Sequence, residues 1–410
     1  MGGVSMEWKE VTLGEISSKI GDGLHGTPKY DDEGPYYFIN GNNLNCGKII
    51  IKDDTKRVGI DEFVKNQKEL NEQTLLVSIN GTIGNVAKYN NEPCILGKSA
   101  CYINVIKEVD KEFIYYVLTS ANFKRNITNE ATGTTIKNVS LKQMREYKFN
   151  IPCNIADQRR IASILSSLDR KIELNNKINA DLEEMAQAIF KNWFVDFEPF
   201  KDGKFVDSEL GKIPEGWKVG RLDEIADVVG GSTPSKAKPE YYTQKGIAWL
   251  TPKDLSNHPA VYTSRGEIDI TEEGYNSTST KLMPKGTILF TSRAPIGYIS
   301  IAQNDICTNQ GFKSLVPKKA GTCFLYCFLK YVTPVIENKS TGSTFKEASG
   351  SLMKSLQVIM PEQKVFEEFE TIVSPLFARI ESLEKENSRL SLLRDTLLPR
   401  LMSGELEVPE

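Results

Sequence analysis

The sequence has little of the material from which catalytic and metal sites are built. Only His25 and His258 are histidines among its 410 residues, and its seven cysteines form no Cys-x-x-Cys pair. Zinc sites need such residues at short, regular spacings. We therefore expect no metal site, and we expect the cysteines to be reduced thiols.

Long apolar runs are also missing. No stretch of eighteen apolar residues occurs, and the first residues are not a charged segment followed by an apolar one. We therefore expect neither a membrane span nor a secretory signal, and the sequence indicates a cytoplasmic protein. The net charge is -3, which argues against general coating of nucleic acid. Any DNA-binding surface must be local or shared with a partner.

Three short stretches imitate cofactor-binding or catalytic motifs, but each lacks a necessary part. Residues 21–26 fit Gly-x-Gly-x-x-Gly, yet Pro28 follows and no apolar helix does, so no helix N-terminus is available for a pyrophosphate. Residues 97–99 imitate the end of a phosphate-binding loop whose first glycine is replaced by Glu92. Residues 197–200 only faintly resemble the catalytic loop of amino-methyltransferases. We expect no cofactor and no catalytic residue in this chain.

The chain contains an internal repeat. The matching segments of the first and second copy are 8–16 and 217–225, 75–87 and 288–300, 113–118 and 324–329, and 131–137 and 340–346. Each copy then leads through an apolar residue and a proline into a long helical pattern. The chain is therefore one unit written twice, a globular domain of about 150 residues followed by a long helix.

Inside each copy the pattern favours strands over helices. Short apolar runs such as 36–39, 75–79, 247–250 and 287–291 are bounded by Gly, Pro, Asn and Asp, whereas 113–118 and 324–329 are the best helix candidates. We predict an α+β fold in which two similar mixed, mainly β globular domains are separated by a two-helix antiparallel coiled coil with pseudo-twofold symmetry. The predicted boundaries are 1–155 for the first domain, 156–198 for the first long helix, 199–361 for a linker and the second domain, 362–402 for the second long helix and 403–410 for a tail.

Two heptad patterns define the long helices, because their seam positions alternate by three and four residues. The first seam is 161, 164, 168, 171, 175, 178, 182, 185, 189, 192 and 196, and the second is 366, 369, 373, 376, 380, 383, 387, 390, 394, 397 and 401. If the helices pair antiparallel, Asn175 and Asn387 meet near the middle and fix the register. The alternative, in which both amides reach water at the seam edge, stays open.

A coiled coil of this length acts as a spacer. About 36 residues at roughly 1.5 Å each give a rod of roughly 50 Å. Duplex DNA is a target with a matching repeat, since two sites read from one face lie about 34 Å apart. Two unlike domains are then expected to read two unlike half-sites.

Three segments resemble the specificity subunit of type I restriction-modification enzymes. They are Ile-Phe-Lys-Asn-Trp-Phe-Val-Asp-Phe-Glu-Pro at 189–199, Ile-Pro-Glu-Gly-Trp at 213–217 and Leu-Leu-Pro-Arg-Leu-Met-Ser-Gly-Glu-Leu at 397–406. They stand in the family's order, and the resemblance covers essentially the whole chain. It implies two target recognition domains, each of which reads one half of an interrupted, asymmetric site in double-stranded DNA.

The same resemblance implies what the helices do. They would set the gap between the half-sites and dock two modification (methyltransferase) subunits, and restriction subunits, the ATP-dependent translocase and nuclease, would join that assembly. Adenine methylation and DNA cleavage would belong to these partners. The resemblance therefore implies a non-catalytic subunit.

Polar turns beside strands are the expected DNA contacts, because Arg and Lys read guanine, Asn and Gln read adenine, and Ser and Thr read either. The candidates are Thr27, Lys29, Asn40, Asn42, Ser78, Asn80, Thr134 and Lys137 in the first copy, and Thr233, Thr251, Lys253, Ser292, Arg293, Thr344 and Lys346 in the second. Arg293 and Lys346 are the strongest of them. For each residue the alternative is a solvated loop or a turn-forming hydrogen bond.

A second set of residues is a candidate partner interface, since exposed aromatic and aliphatic clusters mark such surfaces. These residues are Trp193, Phe194, Phe197, Leu397, Leu398 and Leu401. The alternative is that they pack on the neighbouring domain. Two other functions also stay open: a free-standing DNA-binding regulator, against which the acidic balance weighs, and a coiled-coil scaffold that never meets DNA.

Overall fold

A computed structural model of the chain describes residues 6–130, 138–293, 295–341, 346–406 and 408. Within that part of the chain, no helix is both long and apolar enough to cross a membrane. The chain forms two compact units, the first made of Met1–Ile172 with Arg389–Glu410 and the second of Glu173–Ser388. Each long helix therefore contributes one part to each unit.

The elements of the first half alternate short strands with short helices before a single long helix. The strands are β1 (Trp8–Thr12), β2 (Ser17–Asp22), β3 (Tyr36–Ile39), β4 (Leu44–Asn45), β5 (Lys48–Ile49), β6 (Arg57–Val58), β7 (Thr74–Ser78), β8 (Val86–Lys88), β9 (Cys94–Leu96), β10 (Ala100–Val105) and β11 (Lys148–Pro152). The helices are α1 (Ile60–Asn66), α2 (Lys111–Thr119), α3 (Ala121–Glu130), α4 (Leu141–Glu146) and α5 (Ile155–Phe194).

The second half repeats that plan. Its strands are β12 (Phe205–Ser208), β13 (Gly211–Pro214), β14 (Lys218–Arg221), β15 (Ala226–Gly230), β16 (Tyr242–Thr243), β17 (Trp249–Leu250), β18 (Tyr262–Thr263), β19 (Asp269–Ile270), β20 (Ile288–Ser292), β21 (Ile296–Ala302), β22 (Cys307–Thr308), β23 (Lys313–Pro317) and β24 (Gln357–Met360). Its helices are α6 (Pro252–Asn257), α7 (Glu272–Asn276), α8 (Thr322–Lys339), α9 (Gly350–Lys354) and α10 (Gln363–Met402).

The central sheet of the first unit lies between two apolar clusters. Its strand order is β2-β10-β7-β8, and β7 pairs antiparallel with β10 and with β8. Alternate side chains of a strand point to opposite faces, so Leu75 and Val77 pack with α2, while Leu76 packs with Ile39 and Leu96 of the strands β3 and β9. The strand β7 is buried on both faces, which explains why its sequence reads as a continuous apolar run.

The second unit has the same arrangement. Its sheet order is β15-β23-β20-β21-β18, in which β20 takes the place of β7. Ile288 and Phe290 pack in the cluster that contains α8, whereas Leu289 packs on the opposite face with Leu250. The pairing of β1 with β11 is likewise repeated by the pairing of β14 with β24. The prediction of two similar mixed, mainly β domains is confirmed.

The two long helices run antiparallel within each unit. In the first unit, Asp169 of α5 accepts a hydrogen bond from Arg394 of α10 at 2.8 Å, and Ile161 shares an apolar cluster with Leu401. In the second unit, Asn175 meets Asn387, and nearer the end of α5 Phe194 packs against Phe366 and Phe369. As the residue number rises along α5, that of its partner falls along α10, as expected.

The structure corrects the seam predicted for the second part of α5. Met185 is 52% exposed, and Asn192 and Asp196 are exposed too. The buried positions are instead Ala186, Phe190 and Phe194. The reason is that this part of α5 packs against α8 as well as α10, so its buried stripe follows two neighbours rather than one coiled-coil partner. The helix ends at Phe194, and Phe197 has a positive φ of 55°, so residues 195–198 of the predicted helix lie outside it.

Candidate nucleic-acid interface

In the first unit, the loops after β2, β3, β7 and β9 meet at one end of the strands. We call this set of loops the first loop edge. The strands β3 and β9 are parallel, with Ile39 beside Leu96, and β7 ends at Ser78 opposite Ala100 of β10. The carboxyl ends of these strands therefore lie together, and the polar residues that follow them form one surface.

Hydrogen bonds tie the loops of the first loop edge to one another. The Ser99 hydroxyl donates to Asn40 Oδ1 at 2.9 Å and accepts from the Gly41 amide at 2.9 Å. Ser78 is fully buried, and its hydroxyl lies 3.4 Å from both the Asn80 carbonyl oxygen and Thr82 Oγ1. Asn40 and Ser78 thus hold the loops in place, and this leaves them little freedom to reach a ligand.

Other candidates of the first copy are better placed for contact. Thr27, Lys29 and Asn42 are exposed, and Asn80 is half-buried. Asn80 donates from its amide to Asn138 Oδ1 at 3.3 Å, and the two residues form an isolated β-bridge. Thr134 and Lys137 lie outside the described residues.

The second unit carries the equivalent loops after β15, β17, β20 and β22, which we call the second loop edge. Thr233 donates a hydrogen bond to Gln310 Oε1. The Thr251 hydroxyl and amide both bond Asp254 at 2.7 Å, which caps α6. Lys253 is exposed and pairs with Glu267 at 3.5 Å, a contact that contributes little in water.

A charged group lies at the end of β20 in the second loop edge. Ser292 is buried and donates to the Gly311 carbonyl at 3.1 Å. Next to it, Arg293 Nη1 lies 3.6 Å from Glu347 Oε2, and Lys313 Nζ lies 3.5 Å from the other oxygen of that carboxylate. Lys346 is exposed, and Thr344 lies outside the described residues.

The two edges correspond at this point. In the alignment of the copies Asn80 stands where Arg293 stands, and Asn138 stands where Glu347 stands. The backbone agrees, because the Val139 amide bonds the Ile79 carbonyl just as the Ala348 amide bonds the Ser292 carbonyl, each at 2.9 Å. An amide pair in one unit is therefore replaced by an Arg–Glu pair in the other.

Sequence reasoning missed several polar residues of these edges. They are Lys98, Ser99, Asn138, Gln310, Lys313 and Glu347. In the sequence, residues 97–99 resemble only the end of a phosphate-binding loop. The signal that could have found Lys98, Ser99 and Gln310 is the repeated position of a polar turn directly after a short buried strand, at 97–99 and at 309–311.

The candidate partner-interface residues are buried to different degrees. Phe194, Phe197 and Leu401 are only 5%, 8% and 3% exposed, and they belong to the apolar cores. Trp193 is half-buried against Phe200 and Phe369, and Leu397 and Leu398 are half-buried in the first unit. Core packing therefore accounts for the first three, and contact with a partner stays a prediction for all six.

Larger apolar surface is found elsewhere on the long helices. Leu174 is 53% exposed, Ile372 47%, Leu392 70% and Leu393 46%. Exposed aliphatic side chains are common on protein surfaces and bury little area within the unit to which they belong. These residues stand off both predicted seams, so their exposure agrees with the heptad pattern, although other residues are predicted from the sequence to form the partner interface.

Two partly or fully buried ionisable groups lie on or against the long helices. Burial raises the pKa of Glu384 to about 7, even though its carboxylate accepts backbone hydrogen bonds from Val261 and Tyr262 at 2.7 and 3.0 Å. Burial and the hydrogen bond to Asp169 raise the pKa of Tyr116. Among the described residues, no three His, Cys, Asp or Glu side chains form a group that could hold a metal ion.

Comparison with known proteins identifies the family. The family model described as type I restriction modification DNA specificity domain matches the chain twice, over residues 6–184 and 214–392. The MjaIX specificity subunit of Methanocaldococcus jannaschii is 42% identical over 190 residues, which are 46% of this chain and 44% of that protein. The HindI specificity subunit of Haemophilus influenzae is 28% identical over 359 residues, covering 72% of this chain and 77% of that protein.

Two further matches span nearly the whole chain. The putative MjaX specificity subunit of Methanocaldococcus jannaschii is 25% identical over 434 residues, covering 100% of this chain and 96% of that protein. The crystal structure of a type I restriction-modification S subunit from M. genitalium matches the fold with a TM-score of 0.57 at 21% identity, over 98% of this chain and 97% of that one.

The chain therefore belongs to the family of type I restriction-modification DNA specificity proteins, with one specificity domain in each half. It is a DNA-recognition subunit with two target recognition domains, and it is not the catalytic subunit of its system. The twofold match also confirms the internal repeat.

Proposed function

We propose that each loop edge binds one half of an interrupted, asymmetric site in double-stranded DNA. The observation that carries this proposal is common to both units: at the carboxyl ends of buried strands, exposed polar side chains stand on loops fixed by internal hydrogen bonds, such as Ser99 to Asn40 and Thr233 to Gln310. A surface that distinguishes bases needs side chains held in this way, because an unfixed donor fits many bases equally.

The two edges are suited to different bases. Asn80 and Asn138 in the first unit present amides, which pair with adenine, whereas Arg293 in the second unit presents a guanidinium, which pairs with guanine O6 and N7. Glu347 holds the guanidinium from one side. Two different half-sites follow, and the whole site is asymmetric.

Positively charged side chains add phosphate contacts at both edges. Lys29 is exposed at the first, and Lys253 and Lys346 are exposed at the second. They are few, and the net charge of the chain is -3. Since phosphate neutralisation supplies much of the affinity for DNA, we expect tight binding only in a complex whose other subunits provide basic surface.

The long helices are proposed to dock two modification (methyltransferase) subunits, with restriction subunits joining the assembly. The support is the exposed aliphatic surface at Leu174, Ile372, Leu392 and Leu393, together with the half-buried Trp193. The helices are also proposed to set the spacing of the half-sites. We expect the complex to act in the cytoplasm, where its DNA is.

The test is a binding assay with a library of randomised duplexes, run with the chain alone and with the chain co-expressed with its modification subunits. The proposal predicts recovery of a two-part motif with a fixed gap only from the co-expressed complex. Tight, specific binding by the chain alone would favour a free-standing regulator. Recovery of no motif in either case would favour a scaffold that does not meet DNA.

A further inference from the structure

One position of the first loop edge combines a fixed backbone with an exposed cationic side chain. The Gly97 amide donates to the Ile39 carbonyl at 2.8 Å, and the Lys98 amide donates to the Leu24 carbonyl at 3.0 Å. The turn is closed by the Ala100 amide, which donates to the Gly97 carbonyl at 3.0 Å. The Lys98 side chain itself is exposed.

The turn at residues 309–311 of the second loop edge is built in the same way, but its exposed side chain is the amide of Gln310 rather than the amine of Lys98. The Asn309 amide donates to the Leu250 carbonyl at 2.9 Å, which repeats the bond between Gly97 and Ile39. The Gly311 amide donates to Asn309 Oδ1 at 2.8 Å and closes the turn. Gln310, between them, is exposed. Lys98 and Gln310 therefore occupy equivalent places, each one residue after the amide that bonds the neighbouring parallel strand.

A glycine packs beneath each of these turns. A Cβ atom on Gly23 would overlap the carbonyl oxygens of Leu96 and Gly97, and a Cβ on Gly231 would overlap those of Thr308 and Asn309. The loop that follows the first strand of each sheet is thus pressed against the turn. Because backbone approaches this close only at glycine, neither turn can shift without displacing its neighbour.

We propose that Lys98 and Gln310 are base-reading side chains, one for each half-site; this rests on the proposed function of the loop edges. Lys98 donates to guanine O6 and N7, and Gln310 makes the paired contact with adenine, donating to N7 and accepting from N6. Thr233 is the positioning residue of the second unit. Its hydroxyl donates to Gln310 Oε1, which fixes the amide orientation and leaves Nε2 free to donate.

The experiment uses the full-length chain in complex with its modification subunits and sequences the duplexes that it selects from a randomised library. The variants are Lys98→Ala and Gln310→Ala. Their matched controls are Lys107→Ala, which follows the far end of β10, and Gln303→Ala, which follows the far end of β21. Melting curves of all four establish that each variant is folded.

We expect Lys98→Ala to relax one guanine position in one half-site, and Gln310→Ala to relax one adenine position in the other. Discrimination at that position should fall by roughly 5- to 150-fold, while the remaining positions stay as in the wild type. Neither control should change the motif.

Three results would overturn the inference. A motif from the wild type that both variants reproduce unchanged would remove the base-reading role and leave the proposed function intact. A uniform loss of affinity across all sequences in Lys98→Ala, with a salt dependence reduced by about one phosphate contact, would make Lys98 a backbone contact instead. Failure of the wild type to yield any motif would instead reject the proposed function, and the inference with it.

Variants of Thr233 test whether its hydroxyl positions the Gln310 amide or only supports the loop. Thr233→Val removes the hydroxyl donor at similar volume, and Thr233→Ser keeps it. We expect the valine variant to relax the same adenine position as Gln310→Ala, the serine variant to restore it, and Thr233→Val to add nothing in the Gln310→Ala background. Additive effects of the two changes would contradict the positioning role.

Discussion

The side-chain amide of Asn175 donates a hydrogen bond to Asn387 Oδ1 at 2.9 Å, and Asn387 in turn donates to Asn176 Oδ1 at 2.8 Å. Asn175 is fully buried. Its amide nitrogen also donates to Glu386 Oε2 at 2.9 Å, and a slip of one heptad would separate it from both acceptors. We therefore expect these contacts to fix the relative position of α5 and α10 within the second unit.

Replacement of the pair by leucine tests that role. We expect Asn387→Leu alone to lower the free energy of unfolding by about 1 to 3 kcal/mol, because one N–H of the buried Asn175 amide then loses its acceptor while the other keeps its bond to Glu386. The double change Asn175→Leu with Asn387→Leu should cost less than the sum of the single changes. Thermal unfolding measures both, with the exposed Lys177→Leu as the control.

The same double variant should broaden the spacing between half-sites. A library of duplexes with variable gaps, offered to the complex with modification subunits, should give one gap for the wild type and several for the double variant. An unchanged single gap would show that other contacts set the register.

Arg293 provides the sharpest test of the second loop edge. Arg293→Ala removes a guanidinium that is proposed to read guanine. It should cost about 1 to 3 kcal/mol of binding free energy for the cognate duplex and relax one guanine position. Arg293→Lys should lose part of this discrimination, since an ammonium lacks the planar fork of the guanidinium. Titration of cognate and single-substitution duplexes measures the change. Lys319→Ala, beyond the far end of β23, is the control.

Much of the fold follows from local sequence pattern. The run 36–39 coincides with β3, and the runs 113–118 and 324–329 lie inside α2 and α8. The heptad pattern of α10 is also correct, since Phe369, Val373, Ile380 and Leu383 are buried. These elements are predictable because the runs in α2 and α8 are buried throughout, and because the apolar seam positions of α10 are the ones that pack against α5 and α8.

In the second part of α5 and at the loop edges, the pattern is insufficient. Met185 was placed on the seam but is exposed, because α8 and α10 together select Ala186 and Phe190. At the loop edges, residue type indicated polar contact, yet Ser78 and Ser292 are buried and act within the loops. Lys98 and Gln310 were missed because only the parallel pairing of short strands places their turns beside the other loops.

Glu384 predicts a specific pH dependence. Burial raises its pKa in the folded state to about 7, above the ordinary value of about 4.3 in an unfolded chain. The folded state thus binds a proton that the unfolded state has lost, so the contribution of this group to stability is full below about pH 4 and is lost as the pH rises through about 7. The nearby carboxylates of Glu183 and Glu381 also raise the pKa of Glu384.

We therefore expect the unfolding free energy of the wild type, relative to Glu384→Gln, to fall by an amount on the order of 2 to 3 kcal/mol between pH 5 and pH 8. Glutamine keeps one acceptor for the amides of Val261 and Tyr262 but does not titrate. Denaturant unfolding at several pH values measures the difference, with the exposed Glu368→Gln as the control. Parallel pH profiles for wild type and Glu384→Gln would refute the assignment.

Arg394 is expected to stabilise the first unit through Asp169. Its guanidinium donates to Asp169 Oδ1 at 2.8 Å, and Tyr116 donates to the other oxygen at 2.6 Å. Arg394→Ala leaves that carboxylate with one partner and should cost about 1 to 3 kcal/mol of unfolding free energy. Arg389→Ala, an exposed change on the same helix, should cost less than about 0.5 kcal/mol. Equal effects of the two would show that the contact with Asp169 adds no stability.

Leu392 lies on the exposed surface of α10, whereas Leu401 of the same helix lies in the apolar core. The Leu392 side chain is 70% exposed, and that of Leu401 is 3% exposed. Leu401→Ala should therefore destabilise the first unit by about 2 to 5 kcal/mol. Leu392→Glu should change stability by less than about 0.5 kcal/mol, because it removes no buried contact.

If modification subunits dock on this surface, Leu392→Glu should nevertheless reduce their recovery with the tagged chain, since a docked carboxylate would lose its water without gaining a partner. Leu282→Glu, a leucine 45% exposed outside the long helices, is the matched control and should retain them. Equal recovery by both variants would place the docking surface elsewhere.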